Sequence, residues 1–407
     1  MRVLYISHNG MLEGLGQSQV LPYLRGLAGR GVQFDLFSYE LPDAAPTQIE
    51  ALRESLATHG IRWMPLRRRR DPRLRVKLME AARGATRSLA AALGRRPDVV
   101  HGRSYLPTAV ADAIASTVPK AKLLFDCRGM LGDEYVDAGY WSAEQKEYRL
   151  LKRYERRAFR RADGVVVLTD ALRRWIETRG WLGPQTEIRT IPCCVDTQRF
   201  RFDAAARRRL RGELGLEGRT VLVYSGSLGG LYRVPDMARF AGVFKRRAAG
   251  PVAVLLLTPS PHEEFVDLLE REGVSRAEIV VRKAAPAEVP SFLSAGDAGM
   301  SFGKSCFARM GCSPTKLAEY LACGLPAVLN GDFGDQAELA AEIETCVDVG
   351  SFDDQALERA ADRLLSMVRR APDERAALGM RVVEARCDLE AVGVARYAAL
   401  YEAIVRR

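Results

Sequence analysis

The feature that most limits this chain is a rhythm. Short runs of Val, Ile and Leu alternate with longer stretches whose apolar residues recur at helical spacing. RVLYIS, QFDLFS, DVVH, KLLFD, GVVVLT and EIRTI come first, separated by segments such as SQVLPYLRGLAGRG and AAPTQIEALRESLATHG. Strands that take turns with helices pair in parallel, because each crossover helix returns the chain to the same edge, and helices then cover both sheet faces. The rhythm stops at IPCCVDTQRFRFDAAARRRLRGELG, which offers no strand. It resumes with TVLVYSG, AVLLLTP, EIVVRK, AGMSF, PAVLN and ETCVDVG. We therefore expect two doubly wound domains, 1–195 and 205–385, joined near 193–205, with a tail, 386–407, that reads as one amphipathic helix. Ligands of such sheets bind beyond the C-terminal strand ends, here expected to be a cleft between the domains.

The stretch SPTKLAEYLACGLPAVLN, from Ser313 to Asn330, reads as a helix and then a strand, with an unusual first turn. Ser313 suits the N-cap, its hydroxyl accepting from an N–H two or three residues on, and Pro314 suits the first helical position. Leu317, Tyr320 and Leu321 make the buried stripe, Gly324 ends the helix and Pro326 prevents its continuation. The free N–H groups of the turn holding Thr315 carry roughly half a positive charge and suit a phosphate. Lys316 opposes that dipole, a cost that becomes sensible beside a diphosphate. Glu319, one turn deeper, is an acceptor able to take two hydroxyl protons from a ribose. Phosphate plus diol means a nucleotide. An ordinary capped helix with a Lys–Glu pair worth about 0.2–0.5 kcal/mol accounts for the same residues, so both readings stay open on local chemistry.

The net charge is +10, and arginine is concentrated in RRRRDPRLRVK at 67–77 and LKRYERRAFRR at 151–161. These runs are either solvated helix faces or contacts to an anionic membrane surface, where each basic residue adds about 1 kcal/mol. No RNP-like, zinc-finger or arm-plus-helix pattern accompanies them, so nucleic acid is not an expected partner. No apolar run is long enough to span a membrane. MRVLYISHNG turns polar after six residues, unlike a signal peptide. Eight cysteines stand at irregular spacing without CxxC pairs, which argues against a zinc site or a disulfide framework and for a reducing compartment. The expected location is the cytoplasm, peripheral to the inner face of a membrane.

The SPTKLAEYLACGLPAV block resembles the signature helix of retaining glycosyltransferases of the GT-B fold, the group 1 or family-four type that includes many bacterial envelope-sugar transferases. YISHNG, PDVVHGRSYLP, FDCRGMLGDEYVDAGYW, ADGVVVLTDALRRW, IPCCVDTQRF and VLVYSGSLGGLYRVPDM agree in the same order, so the resemblance covers nearly the whole chain. SPxKxxEY together with IPxxVDxxRF is its specific part. The resemblance implies an α/β chain of two doubly wound Rossmann-like domains facing across a cleft, with the C-terminal helix returning to the N-terminal domain. It implies transfer of a sugar from a nucleotide-diphosphate donor to a hydroxyl acceptor, which is a glycan, a lipid-linked molecule or a small molecule. No bound cofactor is expected. The absence of any D-x-D weakens the case for a metal as well.

Carried over by position, the resemblance puts Glu319 in the place of the family's second helix glutamate, on the ribose hydroxyls. The first, which holds the donor sugar, falls at Gly311 and is missing. The family's diphosphate-binding Arg and Lys fall at Ser227 and Arg233, so one cation is lost and one changed. Lys304 and Arg309, in SFGKSCFARMG, are candidates to make up the deficit, with solvated loop charge as the alternative. EGLGQSQ resembles the family's glycine-rich loop, where Gly14 and Gly16 let backbone approach donor phosphates or acceptor; a plain tight turn is the other reading. It is not a dinucleotide fingerprint, and no acidic residue is expected to end the second strand at a ribose position. His8 either faces the cleft or is structural. Where the family has HxH this chain has HGR, so Arg103 stands in the second position and His101 at the strand end. Asp126 and Arg128, followed by Asp133 and Glu134, are candidates for acceptor hydroxyls, against a structural Asp–Arg pair. Arg103, Asp126, Arg128, Arg233 and Lys304 are the catalytic candidates. Gly14, Gly16, Ser227, Arg233, Arg309, Ser313, Thr315, Lys316 and Glu319 are the donor-binding ones.

The family implies a front-face reaction. Helix dipole, Arg233, Lys304 and Lys316 neutralise the leaving diphosphate while the sugar becomes oxocarbenium-like, and a donor phosphate oxygen takes the acceptor proton. Two rivals share the fold: a sugar-nucleotide epimerase, and a catalytically degenerate nucleotide-binding partner subunit, which the missing side chains at Gly311 and Ser227 keep open.

Overall fold

The computed structural model describes residues 1–69 and 74–407, so part of the basic run 67–77 lies outside the described residues. The chain forms two compact units, one from Met1–Pro192 with Leu389–Arg407 and one from Cys193–Asp388.

The first unit is built on seven strands: β1 Arg2–Ser7, β2 Gln33–Glu40, β3 Ile61–Arg67, β4 Val99–Arg103, β5 Lys122–Asp126, β6 Gly164–Val167 and β7 Glu187–Thr190. Their order is β3-β2-β1-β4-β5-β6-β7, all parallel, with the reversal between β1 and β4. β3, sequence IRWMPLR, is absent from the strands expected above because Arg and Pro interrupt its apolar run. It lies at the sheet edge, where Pro65 costs no ladder bond on its open side. Its Trp63 is buried, and the indole N–H donates to Ser38 Oγ at 2.8 Å.

The tail is not one uniform α-helix. Leu389–Val394 is a π-helical turn, and Ala395–Val405 continues as α-helix. Both belong to the first unit, where Tyr397 and Tyr401 are buried and Arg396 donates to the Thr190 carbonyl at 2.7 Å.

The second unit has six parallel strands: β8 Thr220–Ser225, β9 Val252–Leu257, β10 Ile279–Arg282, β11 Ala298–Ser301, β12 Ala327–Leu329 and β13 Cys346–Asp348. The order is β10-β9-β8-β11-β12-β13, reversing between β8 and β11. Along β8, Leu222 and Tyr224 enter one core with Phe240 and Phe244. Val221 and Val223 enter the other with Leu317 and Tyr320. A strand buried on both faces reads as an unbroken apolar run, which is why these strands were legible. Asp297, just before β11, accepts from Val221 N at 2.9 Å and pairs with Arg207, Arg211 and Arg375 at 2.5, 3.1 and 3.3 Å. It ties the helices Ala204–Glu213 and Pro372–Arg386 to the sheet beside its switch point. The strandless segment also has local order: Val195 bridges Asp388, and Asp203 caps the helix Ala204–Glu213.

Candidate functional site

In the second unit the helix Thr315–Ala322 is fastened at the β8–β11 switch by one side chain. Tyr320 is fully buried, its hydroxyl accepts from Ser225 N at 2.8 Å, and it donates to Met300 O at 3.4 Å. Its ring occupies the space a Cβ on Gly299 would need, 2.4 Å away. The first helical turn is thereby held next to the end of β8.

Lys316 points from that turn to the end of β8. Its Nζ lies 3.3 Å from the Tyr224 hydroxyl, and 4.4 and 4.0 Å from the ring centres of Tyr224 and Tyr232. Burial pushes the amine down to about 7, against a rise from Glu319 and with further lowering from Arg309. Two aromatic faces stabilise the cation there. Gly226, at φ +124°, leaves room for it: a Cβ would stand 3.2 Å from Nζ. Burial of its carboxyl pushes Glu319 up to about 7, with Lys316 and Arg199 pulling the other way. No ion pair within 4 Å joins Lys316 to Glu319, so the simple i, i+3 bridge is not what these two residues form.

The loop after β8 carries three glycines with positive φ, Gly226, Gly229 and Gly230. Arg309 was expected on the diphosphate or as a solvated charge, and it is neither free nor solvated. It is buried, donates to Leu231 O at 2.9 Å and to Cys312 Sγ at 3.1 Å, and lies over the Phe333 and Tyr232 rings. Its guanidinium clamps the glycine loop. Lys304 donates its backbone N–H to Leu231 O at 2.8 Å and has an exposed side chain. Ser227 is exposed and its carbonyl accepts from the Tyr224 hydroxyl. Arg233 precedes the helix Val234–Arg247, pairs with Asp236 at 2.7 Å and lies over Phe352.

Ser313 is a correction. The helix starts at Thr315 with Pro314 before it and no side-chain cap, and the Ser313 hydroxyl accepts from Cys193 N at 3.2 Å. The fixed φ of Pro314 sets the entry, and the serine secures the start of the strandless segment instead. The helix end is as expected, with Gly324 at φ +79°. Asn330, not singled out by sequence, closes the floor: it accepts from Gly303 N at 2.9 Å and donates to Gly303 O at 2.8 Å.

In the first unit Arg103, Asp126 and Arg128 meet at the C-terminal ends of β4 and β5. Asp126 is buried, 3.5 Å from His101 Nε2 and 3.5 Å from Arg128 Nη1. Burial would raise its carboxyl, yet Arg128, His101 and Arg103 hold it well below the usual range. His101 Nδ1 lies 2.7 Å from the Tyr401 hydroxyl, and burial lowers its basicity despite Asp126. Arg103 is buried beside Tyr5. His8 packs against Tyr39, with ring centres 5.6 Å apart. Asp133 is not open to a hydroxyl acceptor: Lys152 Nζ and the Tyr148 hydroxyl donate to it at 2.7 and 2.9 Å. Lys152 also pairs with Glu155, which is fully buried. Glu134 lies in the first turn of the helix Leu131–Asp137.

The glycine-rich stretch is a helix, Gly14–Gln19, rather than a loop. A Cβ on Gly16 would stand 2.2 Å from Gly10 O, so this glycine serves the chain's own close packing. Gly14 is exposed with open space around it. The second strand does end in an acid, against expectation. Glu40 is buried and accepts from Met11 N at 2.7 Å, Leu12 N at 3.2 Å and Ser38 Oγ at 2.7 Å. Its carboxylate is spent on the turn after β1, which is a structural role.

Comparison with known proteins adds three findings. Residues 16–194 match the family described as glycosyl transferase 4-like domain. Over 199 residues the chain is 30% identical to a GDP-mannose-dependent alpha-(1-6)-phosphatidylinositol monomannoside mannosyltransferase of Mycolicibacterium smegmatis, covering 46% of this chain and 50% of the relative. The chain thus aligns with about half the length of that relative. Among solved structures, sucrose-phosphate synthase from Thermosynechococcus elongatus superposes with TM-score 0.72 at 17% identity, covering 98% of each chain. Anabaena HepE in complex with UDP and glucose gives 0.65 at 14%, and WaaG, a glycosyltransferase involved in lipopolysaccharide biosynthesis, gives 0.66 at 14%, each covering 98% of both chains. At these identities the likeness shows the fold, a pair of parallel-sheet α/β units of the GT-B type.

Proposed function

We propose, from the match of residues 16–194 to the glycosyl transferase 4-like domain and from the GT-B-type fold, that the chain is a glycosyltransferase that moves a sugar from a nucleotide-diphosphate donor to a hydroxyl acceptor. The observation that carries this reading is the meeting of Lys316, the glycine-rich end of β8 and the first turn of the helix Thr315–Ala322 at one switch point. Backbone N–H groups at a helix start, a glycine loop and a recessed cation together suit a diphosphate. Glu319, one turn deeper, is in this reading the acceptor for the ribose hydroxyls. The UDP bound by HepE and the GDP-mannose dependence of the mycobacterial relative support a nucleotide-sugar donor.

The chemistry we assign is retaining and metal-independent. A diphosphate entering beside Lys316 restores its proton, because a dianion next to the amine raises its basicity again. The ammonium then sits where the leaving group gains charge, preorganised by two tyrosine rings, with Arg233 and Lys304 as further cations on the same loops. The acceptor attacks from the face the diphosphate leaves, and a phosphate oxygen takes its proton. The acceptor, in this proposal, belongs to the cell envelope and is met at an anionic membrane surface, on the cytoplasmic side.

Glu319→Ala tests the assignment. Titration with UDP, GDP and their sugars, read by thermal shift, should show binding weakened tenfold or more, about 1.4 kcal/mol. A variant that binds like the parent removes the site. Nucleotide binding without any transfer or donor hydrolysis by the parent would instead favour the degenerate partner subunit, and interconversion of donor epimers would favour the epimerase.

A further inference from the structure

A second concave site lies in the first unit. The helix Lys146–Arg161 and the turn that follows the helix Asp170–Thr178 enclose a cavity of about 570 Å³, lined by Arg156, Arg157, Arg160, Arg161, Arg179 and Trp181. Two of its arginines share an acid: Arg161 and Arg157 lie 3.3 and 3.8 Å from Asp112. The other three have no carboxylate within 4 Å among the described residues. Arg156 lies over the Trp181 ring at 5.3 Å and Arg179 over Trp175 at 4.4 Å, while the indoles of Trp175 and Trp181 meet edge to face. Aromatic faces fix two guanidiniums without neutralising them. Five arginines around one hollow with a single acid make a site for an anion carrying more than one charge, and guanidinium forks match phosphate oxygens.

The same helix says where that anion is held. Leu150 is 68% exposed, and Arg153, Arg157 and Arg161 follow it at i+3, i+7 and i+11 on the same stripe. Just before the helix, Tyr140 is 73% exposed and Trp141 stacks on Tyr135. Exposed leucine and tyrosine with a partly exposed tryptophan beside a cationic stripe are the groups that settle at a lipid–water boundary. A soluble phosphate makes no contact with such groups.

We propose that the arginine hollow and the exposed stripe of the helix Lys146–Arg161 dock the protein on an anionic bilayer, with a lipid phosphate seated among Arg156, Arg160 and Arg179. This rests on the membrane-peripheral part of the proposed function and not on the donor site, which lies in the other unit. Flotation of the full chain with vesicles of phosphatidylcholine plus phosphatidylglycerol, and of phosphatidylcholine alone, provides the test. The parent should float only with the anionic vesicles. Arg156→Gln/Arg160→Gln/Arg179→Gln should lose at least tenfold in binding, since each basic residue near the surface contributes roughly fivefold and three are removed. Leu150→Ser should weaken binding with the charges intact. Arg208→Gln/Arg271→Gln/Arg381→Gln removes as many exposed charges from the second unit and should bind like the parent.

Equal loss in both triple variants would overturn the docking site, as would parent-like binding by the first. Displacement from vesicles by inorganic phosphate or by a DNA duplex at low concentration would identify a soluble-anion or nucleic-acid site and overturn the lipid assignment. UDP and GDP titration of the same variants separates the two proposals. Docking that fails while nucleotide binding persists leaves the transferase reading standing, and the converse leaves the surface standing.

Discussion

The amine of Lys316 lies 3.2 Å from the point where Gly226 would carry a Cβ. One residue belongs to a helix start and the other to a strand end about ninety positions earlier in sequence, and a side chain at 226 would press on the amine. At φ +124°, Gly226→Ala is strained as well as crowded, at a cost on the order of 1–3 kcal/mol. We expect a lower melting temperature and weakened UDP or GDP binding. Gly229, at φ +85° with open space around it, is the contrast: Gly229→Asn meets only the backbone cost, about 1 kcal/mol, since asparagine enters the left-handed region more readily than other residues.

Lys316 sets a pH dependence whose sign follows from its depressed basicity. The folded group titrates at about 7 and the unfolded one at 10.5. Below pH 7 the folded state carries a buried ammonium and the full penalty applies. Between 7 and 10.5 the unfolded chain binds more protons, so stability rises with pH and the penalty fades. The stability gap between Lys316→Met and the parent should therefore be largest below pH 7 and shrink toward pH 10.5, as followed by urea unfolding at each pH.

Diphosphate affinity should show the opposite trend. The protonated amine is the binding form, so affinity for UDP should fall as pH rises above 7, and Lys316→Arg should remove that fall, because arginine stays charged. Isothermal titration across pH 6 to 9, which brackets the Lys316 transition at about 7, reads it directly. A parent whose affinity does not vary over that range would separate Lys316 from the phosphate.

Glu40 is a structural acid in a position that suits a ribose. Glu40→Ala leaves the N–H groups of Met11 and Leu12 and the Ser38 hydroxyl without this partner. Each buried orphan costs about 1–3 kcal/mol, so destabilisation of about 3 kcal/mol or more is expected by denaturant titration. Glu40→Gln keeps an acceptor and should cost less. A loss of nucleotide affinity at unchanged stability would contradict the structural role.

Asp297 should behave as the ionic keystone of the second unit. Asp297→Ala strands Arg207, Arg211 and Arg375, and breaking such a buried cluster costs about 3–5 kcal/mol. Burial alone would raise this carboxyl, but Arg207 and Arg211 lower it below 3.8. Its contribution is thus complete above that value and lost as pH falls through the folded one. The parent should lose stability in acid along a limb that Asp297→Ala lacks.

The alternation of apolar runs and helical spacing determined two parallel sheets, because a strand buried on both faces has to be apolar throughout. It also located the helix after Ser313, its glycine stop and the Lys316–Glu319 pair. β3 escaped notice because an edge strand needs less apolar sequence and admits a proline. Three decisions belonged to the tertiary structure alone. Arg309 and Asp133 carry the letters of binding residues, and neighbours distant in sequence, Leu231 and Lys152, fix where those side chains stand. Glu40 ends its strand as a ribose acceptor would, and Met11 and Leu12 take its carboxylate. Lys316 became a recessed amine of lowered basicity only when Tyr224, Tyr232 and Gly226 closed around it. Periodicity reports which face of an element is buried, since that is a local property of spacing. The partner of a polar group is set by packing between elements, where desolvation and competing donors are decided.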